Sequence, residues 1–285
     1  MKRGCRGGAG GRGAGGGVAV LLALVGWAAG AGAADPLTSG ERAWLGGHGP
    51  IVFGSQTDYP PFEFGGSEGR RQGMCVELAR WMGCELGFPV EFRDMEFQQA
   101  QDAVLEGRAD VLTSLFRSEE RERRFDFTEM TWEVPAEIFV RADRTDIVGE
   151  EDLRGKRIAM QRGDYAEEHL ASKGLGHEVV PTASFAEAVA RVVAGEADAL
   201  IGDRPIVWHH LHARGIAGQM KAVGEPLYVG RNAMAARKGS AELMGILGKG
   251  MAKAREKGMF EVLERADGWA FRGGSWRRGR GRAIS

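Results

Sequence analysis

Apolar positions recur along this chain in two alternating rhythms. Short aliphatic runs such as PIVFGSQ at 50–56 and RIAMQ at 157–161 have the density expected of buried strands. Between such runs, apolar residues fall three and four apart in VELARWMGCEL, AQDAVLEG and FAEAVARVVAG. Each of these is closed by a glycine (Gly87, Gly107, Gly195) where a helix can end. Ser184 with Glu187 forms a capping box at the head of the third helix. Thr38 with Glu41 forms another ahead of a short helix at 35–49. Strand and helix signals in alternation predict an α/β architecture.

Two pairs of segments read alike. AVLEGRADVLTSL (103–115) and ARVVAGEADALIGD (190–203) both run from a helix end through a glycine and an Ala-Asp pair into an apolar strand. IVFGSQTDY (51–59) and RIAMQRGDY (157–165) form the second pair. The pattern predicts two related Rossmann-like lobes. Lobe 1 takes residues 50–137 plus 233–268 and lobe 2 takes 138–232, with hinge crossings near AEIFVRAD (136–143) and LYVGRNAMA (227–235). Ligands of open parallel sheets sit beyond the carboxyl ends of the strands. Here those ends are Gln56 to Tyr59, Thr113 to Phe116, Arg162 to Tyr165, and Gly202 to Asp203, which two facing lobes would bring together. In TDYPPFEF (57–64), Pro60 and Pro61 stiffen the backbone. They would hold Tyr59 rigid at the cleft rim while Phe62 and Phe64 turn into the core.

The ends of the chain differ from its middle. Residues 1–34 carry Lys2, Arg3, Arg6 and Arg12, no acid, and the apolar run VAVLLALVGWAAGAGAA, the pattern of a secretory signal peptide cleaved after Ala33 or Ala34. Removal would leave 34 basic against 39 acidic residues, a net charge of −5, which makes no whole-chain case for nucleic acid. Export makes the cysteines matter, because Cys75 and Cys84 would both remain. On one helix they would lie about 13.5 Å apart along the axis, too far to bridge, so two buried thiols are expected rather than a disulfide. Residues 269–285 read as a disordered Arg/Gly tail. The WHHLH run (His209, His210, His212) matches no tetrahedral metal set and reads as a solvated helix surface. Neither a metal nor a cofactor is implied.

Five motifs in order carry a resemblance: DYPPFEF, GRADVLTSLFRSEERERRFDFTE, EDLRGKRIAMQRG, GEADALIGD and the closing AARKGSAELMGILGKGMAKAREKGMFEVL. Together they resemble the family 3 periplasmic solute-binding proteins, over about residues 50 to 268. The resemblance implies the type II, Venus-flytrap fold and capture of an amino acid or related carboxylate between the lobes. It places Arg121 where an arginine grips a ligand carboxylate, and guanidinium suits that task by pairing in two prongs. Asp203 falls where an acid receives the ligand's amino group. Thr113 and Ser114 would add hydroxyl and backbone contacts, and Tyr59 and Phe97 would hold the ligand side chain between two rings. Arg123 and Arg124 read as solvated.

Three departures change the expected pocket. Phe116 replaces a small polar residue, and Asp164 and Tyr165 stand where Thr-Thr is common. A charged Asp164 would repel a ligand carboxylate unless it points away or meets a basic ligand. Aromatic walls from Tyr59, Phe97, Phe116 and Trp132 favour an apolar or planar ligand.

LTSGERAWLGGHGPIVFG (37–54) also looks like the opening helix of sensor versions attached to histidine kinases or diguanylate cyclases. The expected protein is therefore a periplasmic, monomeric receptor serving an ABC permease or a sensor. The alternatives are the ligand-sensing domain of a truncated signalling protein and an enzyme similar to cyclohexadienyl dehydratase, which would need a general acid from Glu63, Asp164 or Asp203.

Overall fold

The computed structural model describes residues 35–66, 69–266, 269–272 and 275–278. The predicted signal peptide lies outside the described residues. Helix α1 (Ser39–His48) opens the chain. The Thr38 hydroxyl accepts from the Glu41 N–H at 3.2 Å and the Glu41 carboxylate accepts from the Thr38 N–H at 2.7 Å, so the predicted capping box is closed. Strand β1 (Ile51–Gln56) leads into a small antiparallel flap of β2 (Asp58–Tyr59), β3 (Glu63–Gly65) and β4 (Arg71–Gln72). Helix α2 (Met74–Leu86), β5 (Val90–Met95), α3 (Phe97–Leu105) and β6 (Val111–Phe116) follow. The long strand β7 (Phe125–Arg141) then crosses into a second set: β8 (Arg157–Gln161), α4 (Tyr165–Lys173), β9 (Glu178–Thr182), α5 (Phe185–Val193), β10 (Ala199–Asp203) and α6 (Arg204–Ala213). Strand β11 (Met220–Arg237) returns, followed by α7 (Ala241–Glu256), α8 (Met259–Ala266), β12 (Trp269–Arg272) and β13 (Ser275–Arg278).

The main sheet has eight strands in the order β5-β1-β6-β11-β7-β10-β8-β9. Each flank is parallel, and the antiparallel pair β7 and β11 runs through the middle. Each half is thus an α/β lobe, and both crossings are made by two continuous strands. The β7–β11 register shifts between Val223 and Tyr228 and again between Arg231 and Ala233, where the pair passes from one lobe to the other. At Gly230, between those shifts, a Cβ would overlap the Phe116 ring. Glycine lets the ring of β6 lie directly on the crossing strand.

The repeated Ala-Asp pair has one structural job in both lobes. Asp110 Oδ2 accepts from the Val52 N–H of β1 at 2.7 Å, and Asp198 Oδ2 accepts from the Arg157 N–H of β8 at 2.9 Å. Each acid satisfies a backbone donor at the start of the neighbouring parallel strand, where no ladder partner is available. Fully buried Phe53, Phe62, Leu78 and Met82 fill the first lobe, and Ile158, Met160, Leu170 and Ile201 the second.

Local expectations are corrected in four places. Cys75 and Cys84 do share α2, but only Cys75 is buried; Cys84 is exposed on the other face, as a nine-residue helical spacing dictates. Ser184 caps α5, yet the Glu187 carboxylate accepts from the Ala183 N–H at 2.8 Å, one residue earlier than a capping box requires. Of the three histidines on α6, His210 is buried rather than solvated, its Nε2 3.8 Å from Asp58, and burial lowers its pKa to about 4. Residues 269–272 and 275–278 of the expected disordered tail pair as antiparallel strands. Among the described residues, no helix is long and apolar enough to cross a membrane.

Candidate functional site

The carboxyl ends of the parallel strands in both lobes converge as the sheet topology requires. From the first lobe come Gln56 at the end of β1, Tyr59 in the flap, Phe97 heading α3, Ser114 and Phe116 on β6, and Arg121 in the turn that follows. The second lobe contributes Asp164 at the head of α4 and Asp203 at the end of β10. They line a cavity of about 10 Å3 between the lobes, a space of about one water molecule. Seven of the nine residues expected from the sequence are therefore brought together. Gln56, Leu115 and Asn232 complete the wall. Gln56 was legible as a strand-end residue. Asn232 sits on β11, whose position beside β6 depends on the antiparallel crossing and has no local signal.

Two expected residues do not face the cavity. Thr113 donates to Glu63 and, at 3.3 Å, to the Gly54 carbonyl; it is turned into the first lobe. The Tyr165 ring stacks edge-on against Tyr228, with the Arg121 guanidinium 5.7 Å over its face. Ser114 lines the cavity, yet its hydroxyl donates to Glu63 at 3.0 Å. The fully buried Glu63 also accepts from Ser55 at 2.6 Å and is a hub for three hydroxyls. Trp132, expected in the pocket wall, packs between Phe62 and Phe260 in the core.

Tyr59 is both site and core. It is only 3% exposed, stacks on Phe62 of its own lobe at 5.3 Å and Phe185 of the other at 6.2 Å, and donates to Asp203 at 2.5 Å. Alanine at Tyr59 would therefore disturb packing as well as the cleft. Phenylalanine isolates the hydroxyl. Tyr59→Phe is expected to leave the fold intact and to cost about 1–3 kcal/mol through the unpaired Asp203 carboxyl, whereas Phe62→Ala should cost about 3–5 kcal/mol. Denaturant melts of both variants check this. A Tyr59→Phe variant as stable as the parent would show that the Tyr59 hydroxyl contributes nothing of its own.

Charge in the cleft is unbalanced toward acid. Arg121, 5% exposed, donates from all three guanidinium nitrogens: Nε to Glu168 at 2.5 Å, and the two others to the carbonyls of Phe116 and Gly163, each at 3.0 Å. Glu168 and Gly163 belong to the second lobe, so Arg121 spans the cleft. Asp164 caps α4 through the Ala166 N–H at 2.9 Å. Burial pushes its carboxyl up to about 6, against the partial relief of that N–H and of Arg121. Asp203 is pushed well above the usual range, first by burial and then by the Asp164 charge.

A folded-state pKa above the ordinary aspartate value of 3.8 means that the folded cleft holds the proton more tightly. The resulting stability is complete below about pH 4 and is lost as pH rises through about 6. For Asp164 it amounts to about 3 kcal/mol. Asp164→Asn retains the cap and is expected to flatten the pH dependence between pH 4 and 7, measured by urea melts. An unchanged slope would exclude Asp164 as its source.

Two lobes that close on a polar cavity at their strand ends, joined by two crossing strands, define a solute-binding protein of the type II periplasmic kind. Residues 51–266 match the model of bacterial extracellular solute-binding proteins, family 3, and the chain belongs to that family. Similar solved structures include a histidine kinase sensor domain with similarity to periplasmic binding proteins, 33% identical with a TM-score of 0.72 over 76% of this chain and 95% of that one. An ancestral arginine-binding protein bound to arginine is 28% identical with a TM-score of 0.71, over 77% of this chain and 98% of that one. The L-arginine-binding protein of Pseudomonas aeruginosa is 26% identical over 75% of this chain and 86% of its own length.

Proposed function

We propose that this protein captures an α-amino acid in the periplasm and presents the closed, loaded form to a membrane transporter or sensor. One observation carries the reading: Arg121 of the first lobe and Asp203 of the second, both buried, face one cavity between the lobes. A ligand carrying a carboxylate and an ammonium group would bridge them and favour closure, because its contacts on both lobes exist only in the closed form. Among the described residues Asp203 Oδ1 and Asn232 Nδ2 are buried without a hydrogen-bond partner, an acceptor and a donor suited to such a ligand. Asp164 adds a second acid and favours a ligand with a second positive group, and relatives bind arginine. Tyr59, Phe97 and Phe116 would enclose the ligand's apolar stem. Export through the predicted leader and action as a monomer belong to the same proposal.

A sensing role is supported by the likeness to the histidine kinase sensor domain and by the capped α1 that precedes the first lobe. A dehydratase role has less support. Glu63 is tied to three hydroxyls behind the cavity lining, and Asp164 serves as a helix cap. The reading is tested by thermal-shift assays of the mature protein with L-arginine, L-glutamine, L-cystine and acetate. Ligand at a hundred times its dissociation constant adds about 2.7 kcal/mol of stability, so a clear rise in Tm is expected with an amino acid and not with Asp203→Asn. A flat response to every amino acid would reject the reading.

A further inference from the structure

We infer that Glu168 is a built-in carboxylate that occupies the ligand-carboxylate place on Arg121, holding the cleft closed and competing with the ligand. The inference rests on the proposed role of Arg121 in amino-acid binding and deepens it. Glu168 lies on α4 of the second lobe and reaches across the cleft to two donors of the first. Its Oε1 accepts from Arg121 Nε at 2.5 Å and its Oε2 accepts from the Ser118 hydroxyl at 2.7 Å. One carboxylate held by a guanidinium on one oxygen and a hydroxyl on the other is the arrangement a bound acid would require. Ser118 also accepts from the Arg121 N–H at 3.2 Å, which fixes its hydroxyl beside the guanidinium.

Other contacts make the same closure. Arg121 and Gln101 of the first lobe both donate to the Gly163 carbonyl at 3.0 Å, and Gln161 donates to Gln56 at 3.2 Å. Tyr59 bonds Asp203. Glu168 is the member of this set that supplies the charge. Its side chain is 23% exposed against 6% for Arg121, so water can reach the acid once the pair separates. A partly exposed partner can be displaced at modest cost, whereas the buried arginine cannot be left without an anion. An incoming carboxylate can therefore exchange with Glu168 on Arg121. A ligand selected in this way must outcompete a tethered acid, so the apparent affinity falls by the fraction of molecules in which Glu168 holds the site.

The test compares the parent with Glu168→Ala and with the near-isosteric Glu168→Gln, whose folding is checked by circular dichroism. Small-angle scattering of the unliganded proteins is expected to show a larger radius of gyration for both variants. Acetate should restore the compact form and raise the Tm of Glu168→Ala while leaving the parent unchanged. L-Arginine or L-glutamine is expected to bind Glu168→Ala about tenfold more tightly than the parent. A merely structural role would lower Tm without acetate rescue or gain in affinity. Scattering identical to the parent together with no response to acetate would overturn the inference. If scattering and acetate respond but neither amino acid binds any variant, the latch stands and the amino-acid reading falls.

Discussion

Replacing Arg121 with alanine is expected to lower ligand affinity by a factor of about 30 to several thousand, the range for truncating one partner of a buried charge pair, about 2–5 kcal/mol. Among the described residues the guanidinium is the one cation lining the cavity, and it is positioned by the Phe116 carbonyl of its own lobe and by Gly163 and Glu168 of the other. Removing it withdraws the counter-charge from any ligand carboxylate and also cuts the charged tie between the lobes. Folding should suffer less, by about 2 kcal/mol, since Glu168 is partly exposed and can rehydrate. Arg121→Lys should recover little. A lysine ammonium keeps the charge but cannot reach three oxygens on two lobes at once in the planar geometry of guanidinium. Isothermal titration with L-arginine, alongside urea melts, separates the two effects. Affinity within about threefold of the parent would remove Arg121 from the site.

Glu63→Ala should be among the most destabilising single substitutions, at about 3–5 kcal/mol. Glu63 accepts from Ser55, Thr113 and Ser114, and its carboxylate lies 4.0 Å from the Arg71 guanidinium, which is itself only 7% exposed. Arg71 in turn bonds the Thr57 carbonyl at 3.2 Å as well as the Gln56 carbonyl and the Ser55 hydroxyl. The pair therefore ties the flap, β1 and β6 together, with Glu63 the cross-strand partner of Tyr59. Alanine would leave a buried cation with less counter-charge and three hydroxyls without their acceptor. For a fold of this size the loss corresponds to a Tm lower by roughly 10 °C. Glu63→Gln preserves part of the hydrogen bonding and should cost less. A differential-scanning measurement in which Glu63→Ala melts within a degree or two of the parent would show that Arg71 and the hydroxyls find other partners. Binding should weaken as well, through the shifted flap rather than through contact with ligand.

The sequence by itself determined the alternation of strands and helices, the two-lobe repeat and the strand ends at which the site forms. Those features rest on short-range periodicity, on glycine and capping residues at helix ends, and on an Ala-Asp pair whose acid serves its neighbouring strand in both lobes. It also marked Tyr59, Phe97, Ser114, Phe116, Arg121, Asp164 and Asp203, which the two lobes bring to one cavity. Tertiary structure alone decided what each polar group faces. Thr113 and Ser114 look like ligand contacts in the chain, but the flap delivers a buried carboxylate to both hydroxyls. Glu168, 47 residues from Arg121, carries no motif; only closure of the lobes sets it on the guanidinium. Asn232 enters because antiparallel β11 lies between β6 and β7. The physical reason is common to all three. A buried polar atom must find a partner, and that partner is chosen by which elements the fold packs together, over distances along the chain that no local pattern records.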